Sequence, residues 1–144
     1  MSEKRLYALR GAARCVNTAE DIRQQVSLLY DSLLEKNHLA EADIVSIIFS
    51  QTADLDALNP AAALRQTGRA GELALFAVRE AETADAVPRV LRVLVHCYLP
   101  EGSQPGHVYR NGAEVLRPDR ALNLTHNLAA KTGKGRAAGC RERL

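Results

Sequence analysis

Four arginines of this chain stand beside small, turn-forming or strand-like neighbours: Arg10 in Arg10-Gly11-Ala12, Arg65 after Asn59-Pro60, Arg92 heading an apolar run, and Arg117 in Leu116-Arg117-Pro118-Asp119. A guanidinium presents a planar fork that grips a carboxylate through two parallel hydrogen bonds, so the set suits a site for a small dianion. Glu80, twelve residues before Arg92, is the acceptor to place among these donors. Such a pocket acts on a substrate with two carboxylates and a hydroxyl and needs neither metal nor cofactor.

The elements that must position these residues can be read in order. Leu6 to Ala12 is short, apolar and β-compatible and ends near Gly11, which predicts a first strand with Arg10 at its end. Thr18-x-x-Asp21 has the spacing of a capping box, and Ile22, Val26, Leu29 and Leu33 follow at helical intervals up to a stop at Asn37. Ile44 to Phe49 is a β-branched run without charges, the pattern of a strand buried on both faces. Asn59-Pro60 starts a short helix, Asn as N-cap and Pro at the first helical position, which runs to Gln66 before Gly68 and places Arg65 near its end.

Leu73 to Val78 reads as a third strand leading into Arg79-Glu80, and Pro88 interrupts any helical turn between Glu82 and Val90. Val90 to Leu99 reads as a fourth strand, with Arg92, Leu94, His96 and Tyr98 on one face and Val93, Val95 and Cys97 on the other. His107-Val108-Tyr109 and Glu114-Val115-Leu116 flank Asn111-Gly112, a hairpin signal because both central positions of a type I′ turn need positive φ. The order β-α-β-α-β-β with a closing hairpin predicts an α+β fold, a mixed sheet with helices on one face.

Composition narrows the class. A chain of 144 residues, 47% hydrophobic and 25% charged, fits one globular domain, assigned to residues 1–122. The net charge of +2 is too small for a nucleic-acid binder, and Lys131, Lys134, Arg136, Arg141 and Arg143 concentrate in the last residues, so 123–144 is read as a flexible basic tail. Cys15, Cys97 and Cys140 are odd in number and show no CxxC spacing, which argues against a disulfide framework or a zinc site and for a reduced cytoplasm. No apolar run reaches signal-peptide or membrane-span length, so neither secretion nor a membrane partner is expected.

Each candidate also has a bland reading. A lone arginine on a strand or loop is usually solvated or half of a structural ion pair. Arg92 stands apart, because a guanidinium sharing a strand face with Leu94 needs a compensating anion from the fold or from a ligand. Glu80 and Glu82 read equally as solvated loop carboxylates, and nothing fixes the separation a glycosidase pair requires. His38, His96, His107 and His126 lack metal-ligand spacing and a serine or cysteine partner, which favours structural roles. Gly68-Arg69-Ala70-Gly71 is a turn rather than a phosphate loop.

Taken together and in order, Arg10-Gly11-Ala12, the helix ending at Glu35-Lys36-Asn37-His38, Thr52-Ala53-Asp54-Leu55-x-Ala57, Pro60-Ala61-x-Ala63-x-Arg65, Glu80 with Arg92, His107-Val108-Tyr109 and Leu116-Arg117-Pro118-Asp119 resemble the monofunctional trimeric α/β chorismate mutases of the Bacillus type. The resemblance implies a ferredoxin-like or chorismate-mutase-like fold assembled as a homotrimeric pseudo-α/β-barrel, with an active site at each subunit interface. It implies chorismate as substrate, prephenate as product, and no cofactor. By position, Arg92 would bond the ether oxygen and a carboxylate, Arg10 and Tyr109 a carboxylate, and Glu80 the ring hydroxyl. Arg65 and Arg117 would close the mouth, and Leu116, Ala77 and Asn59 complete the binding set.

The chain departs from the family pattern at three of these positions. Asn59 stands where the family has an aromatic and Ala62 where it has a lysine, which predicts a looser mouth and a higher KM; Ala77 stands where it often has a cysteine, which leaves Glu80 with less polar support. Two other readings suit the same inventory: a Rid-like enamine or imine deaminase, and a non-catalytic trimer that binds an anionic metabolite. Glu80 with Arg92, plus Arg10 and Tyr109, favours the mutase.

Overall fold

The computed structural model describes residues 3–116. Arg117, His126 and the basic tail therefore lie outside the described residues. The elements are β1 (Lys4–Arg14), α1 (Ala19–Lys36), β2 (Ile44–Gln51), α2 (Pro60–Gln66), β3 (Ala74–Arg79), β4 (Val90–Pro100) and β5 (Val108–Arg110), with short 3-10 turns at Glu41–Asp43 and Ala113–Leu116. The sheet is five-stranded in the order β3-β2-β4-β1-β5. Strand β4 is antiparallel to both β1 and β2, while β2 with β3 and β1 with β5 run parallel. A ferredoxin-like fold orders its elements β-α-β-β-α-β, so this chain shares the split β-α-β unit but not that order.

Local signals explain the helices. Thr18 Oγ1 accepts from the Asp21 backbone N–H, and the Asp21 carboxylate accepts from the Val16 N–H, so two donors at the helix entry are satisfied by one pair of side chains. The apolar stripe Ile22, Val26, Leu29 and Leu33 is buried, joined by Tyr30. Helix α1 ends at Asn37, after which His38 takes φ 49°, the Leu39 N–H reaches the Leu34 carbonyl and the His38 N–H the Glu35 carbonyl. That is a Schellman stop built without glycine. Asn59 caps α2 as expected, its Oδ1 accepting from the Ala61 and Ala62 N–H groups, with Pro60 at the first helical position.

Both helices pack on one face of the sheet, against Leu9, Ile47, Phe49, Leu91, Val93, Val95 and Cys97. Among the described residues no layer covers the opposite face: Phe76 is 65% exposed, Leu6 52% and Tyr98 44%. Hence β2 is buried on one face, with Val45 exposed at a bulge and Ser46, Ile48 and Ser50 half-buried, rather than on both faces as its composition suggested. Strand β1 is longer than its apolar core implied, because β4 pairs with it from Lys4↔Pro100 to Arg14↔Val90. Arg10 accordingly lies within the strand, not at its end.

The predicted hairpin does not form. Asn111 and Gly112 do take positive φ (55° and 94°), but Asn111 Nδ2 donates to the Arg14 carbonyl and Ala113 is buried, so the chain folds into a 3-10 turn against the end of β1. Its strand partner is β1 rather than Glu114–Leu116. Between Glu80 and Val90 no helix forms; a single turn closes through the Ala86 N–H and the Thr83 carbonyl.

Helix α1 packs closely on the sheet over Gly11. A Cβ there would stand 3.0 Å from Leu29 Cδ1 and Val93 Cγ1 and 3.2 Å from Leu33 Cδ1, all in the buried core. Overpacking of this kind costs about 1–3 kcal/mol. Gly11→Ala is expected to lower the unfolding free energy by that amount, read as a lower denaturant midpoint at constant m-value; an unchanged midpoint would mean that α1 can back away freely.

Candidate active site

Register builds the site. Because β4 lies between β1 and β2, Arg92 stands opposite Ala12 on one side and Ser50 on the other, and Leu94 stands between Arg10 and Ile48. All six side chains share the uncovered face, since the alternate set (Gly11, Val93, Phe49) faces the helices. Glu80 follows β3 directly and is tied to β2 by its backbone N–H, which donates to the Gln51 carbonyl at 2.9 Å. Tyr109 on β5 stands opposite Ala12, and Leu116 closes one wall from the 3-10 turn.

These groups surround an open cleft of about 280 Å³, with Arg10 and Arg92 as cations, Glu80 as the carboxylate, Ser50 and Tyr109 as hydroxyls, and Ile48, Leu94, Ala12 and Leu116 as apolar walls. An adjoining hollow shares Glu80, Arg92 and Leu116 and runs along Thr83–Val87. Arg92 Nε is 3.7 Å from Glu80 Oε2, beyond hydrogen-bonding distance, with the arginine side chain 48% exposed and the glutamate 21%. Ser50 Oγ–H donates to the other oxygen, Oε1, of Glu80. Among the described residues no side chain accepts a hydrogen bond from the Arg10 or Arg92 guanidinium. Two cations therefore face one cleft with most of their donor capacity unused, while Glu80 is held by Ser50.

Arg10, Glu80, Arg92, Tyr109 and Leu116, singled out from the sequence, thus come together. The other candidates do not. Asn59 and Arg65, at the two ends of α2, are exposed beside the helix layer, on the far side of the sheet from the cleft. Ala77 pairs with Phe49 and packs against the core on that same side. Arg117 lies outside the described residues. Ser50 was missed; its only sequence signal is that it shares a strand face with Ser46 in an otherwise apolar run. The buried thiols contribute nothing here: burial, helped by Asp21, pushes Cys15 up to about 12, and burial raises Cys97 as well, with Asp43 adding to it. Among the described residues no group of three His, Cys, Asp or Glu side chains could hold a metal.

A cleft on an open sheet face, with two arginines and one oriented carboxylate, has the chemistry of a site for a small anion. The comparisons with known proteins narrow the class. Residues 6–120 match the family model for chorismate mutase type I. The chain is 33% identical over 125 residues to the chorismate mutase AroH of Bacillus subtilis, covering 85% of this chain and 96% of that protein. It is 35% identical over 106 residues to the chorismate mutase AroH of Thermus thermophilus, covering 72% and 85%. A solved chorismate mutase from Clostridium thermocellum superposes with a TM-score of 0.70 at 38% identity, over 76% of this chain and 98% of that one. The chain belongs to the type I chorismate mutase family, which are isomerases.

The Ser50 contact yields a direct expectation. A hydrogen bond to a charged group is worth about 1.5–3 kcal/mol, so Ser50→Ala should lower kcat/KM for chorismate by about tenfold or more. Ser50→Thr, which keeps the hydroxyl, should recover most of that loss. Equal activity of all three proteins in a steady-state assay would show that Glu80 is oriented by something else.

Proposed function

We propose that the cleft binds the chorismate dianion and rearranges it to prephenate, without a cofactor, in the route to phenylalanine and tyrosine. The observation that carries the reading is the convergence of two guanidiniums with unused donors, Arg10 and Arg92, on a cleft that also holds Glu80 and Tyr109. Arg10 and Tyr109 hold a substrate carboxylate, and Glu80, steadied by Ser50, accepts the ring hydroxyl. Clamping both ends folds the flexible enolpyruvyl arm over the ring, the conformation in which the bond-forming carbons can meet.

The rearrangement is intramolecular. The ether C–O bond breaks as a C–C bond forms at the far end of the arm, no proton moves, and atoms and charge are conserved. Bond breaking runs ahead of bond making, so negative charge grows on the ether oxygen. The Arg92 fork, opposite Ser50 and Ala12, meets that charge and a carboxylate, and so favours the transition state over the ground state.

The working unit in this proposal is a homotrimer in the reduced cytoplasm. Two features support cyclic assembly: the sheet face that carries the cleft exposes Phe76, Leu6, Tyr98 and Val78, apolar side chains that a neighbouring copy would cover, and the cleft on that face is open on one side. A heterologous contact that closes after three copies brings a different surface of a neighbour to each cleft. Asn59 and Arg65 act from that neighbouring surface and line the mouth. The free, buried Cys15 and Cys97 suit a reducing compartment.

The test is loss of chorismate absorbance on mixing with purified protein, with prephenate as the product. Arg92→Ala should lower kcat by on the order of 10²–10³ or more with a smaller change in binding, and Arg92→Lys should restore only part, because an ammonium cannot reach two acceptors with one planar fork. Arg65→Ala should act mainly on KM. A folded Arg92→Ala protein with normal kcat would end the electrostatic mechanism.

Assembly is checked separately. Sedimentation should give a mass three times that of the chain, and Phe76→Glu should break the assembly and the activity together. A fully active monomer at high dilution would contradict the interface site.

A further inference from the structure

Strand β5 carries Tyr109 but is only three residues long, pairing with β1 at Gly11, Ala12 and Ala13 alone. So short an edge strand is weakly specified by its ladder. What fixes it is a set of side-chain bonds at its entry. The Asn37 carboxamide, at the end of α1, accepts from the Gly106 N–H at 2.7 Å and donates to the Gly106 carbonyl at 3.0 Å, while its Nδ2 also donates to the Leu33 carbonyl at 2.8 Å. Lys36 Nζ donates to the His107 carbonyl at 2.9 Å, and its alkyl stem packs closely on Gly106, 3.0–3.1 Å from where a Cβ on that residue would stand.

His107, held in this way, turns its ring onto the active-site strand: the Arg10 backbone N–H donates to His107 Nδ1 at 3.0 Å. A backbone amide can only donate, so Nδ1 carries a lone pair and the neutral ring has its proton on Nε2. The imidazole thus ties the backbone of one cleft cation to the segment that delivers Tyr109 two residues later.

We infer that His107 is a positioning residue for Arg10: clamped by Asn37 and Lys36 at the end of α1, it sets where the Arg10 guanidinium and the Tyr109 hydroxyl stand relative to each other. The inference rests on the chorismate reading of the cleft, in which both groups grip a substrate carboxylate. Displacing such a group by about 1 Å can cost on the order of 10²-fold in rate. The cost of the lost backbone hydrogen bond to stability is small by comparison, about 1 kcal/mol.

The experiment is a kinetic cycle with full-length protein and chorismate. His107→Ala is expected to lower kcat/KM by about tenfold or more, chiefly through KM, since Arg10 binds the ground state as well as the transition state. His107→Asn, whose Oδ1 takes the place of Nδ1, should recover most of the loss, whereas His107→Gln, which reaches toward Nε2, should not. In an Arg10→Ala background the His107→Ala loss should shrink to less than about twofold, because coupled residues are not additive.

A loss of equal size in both backgrounds, or His107→Gln matching His107→Asn, overturns the inference. If His107→Ala does not fold, nitrogen NMR of the wild-type imidazole decides: an Nε2–H ring with Nδ1 accepting is required, and an Nδ1–H ring overturns it. Wild-type protein inert toward chorismate would instead defeat the reading of the cleft, while an active wild type with unchanged His107→Ala kinetics defeats only the inference.

Discussion

The position of β4 between β1 and β2 governs everything else in this molecule. One register, Ala12↔Arg92↔Ser50, puts a guanidinium beside a small floor residue on one side and the hydroxyl that steadies Glu80 on the other. A slip of one residue would turn Arg92 into the helix-covered core and Val93 out to the open face. Burying an unpaired charge is among the most costly single changes a core can suffer, so hydrophobic patterning protects the site geometry along with the fold. Val93, Val95 and Cys97 hold the register by burial, and Arg92 and Leu94 inherit their positions from it.

The sheet divides its labour by face. Helices α1 and α2 bury one side and form the apolar core together with the strand residues that face them, while the other side carries the cleft and the exposed Phe76, Leu6 and Tyr98. The covered side is tied to the cleft at the end of α1, where Asn37 holds Gly106 and the His107 ring accepts from the Arg10 backbone. That division also accounts for Arg65 and Asn59. Alternation and capping place them on α2, which faces away from the cleft of its own chain, and in the proposed trimer they serve a neighbour's.

How much was legible in the sequence follows from the range of each interaction. Thr18, Asn37, Asn59 and Pro60 act within a few residues, so the bounds of α1 and α2 could be read directly, and the alternation along β4 assigned its two faces correctly. Asn111-Gly112 signals a hairpin because Asn-Gly suits the positive φ of a type I′ turn, and both residues do adopt positive φ. The choice between Glu114–Leu116 and β1 as strand partner is made by long-range contacts, Asn111 with the Arg14 carbonyl among them, which no local pattern carries. Burial of β2 was overestimated for a related reason: an apolar run does not say whether its second face is covered by the same chain. Ser50 escaped notice because its role depends on Glu80, thirty residues away and brought near only by the β2–β3 pairing.

The state of Arg92 bears on the chemistry proposed for it. Were its fork fully engaged by Glu80, the cation would be satisfied in the free protein and would have to give up that bond to stabilise a growing charge. At 3.7 Å and half exposed, the contact orients the arginine while leaving its donors available, and it contributes little to stability. Exposure has the opposite effect on strength. A unit charge about 4 Å from another gains roughly 1 kcal/mol in bulk water and roughly 4 at an effective dielectric near 20, so an open cleft wastes most of what a well-placed guanidinium can supply. Ser50 and the β4 register preorganise the cation, but excluding water from it requires a surface that this sheet face does not supply from its own helices. In the proposed assembly the neighbouring subunit supplies that surface, and catalysis in that proposal depends on trimer formation.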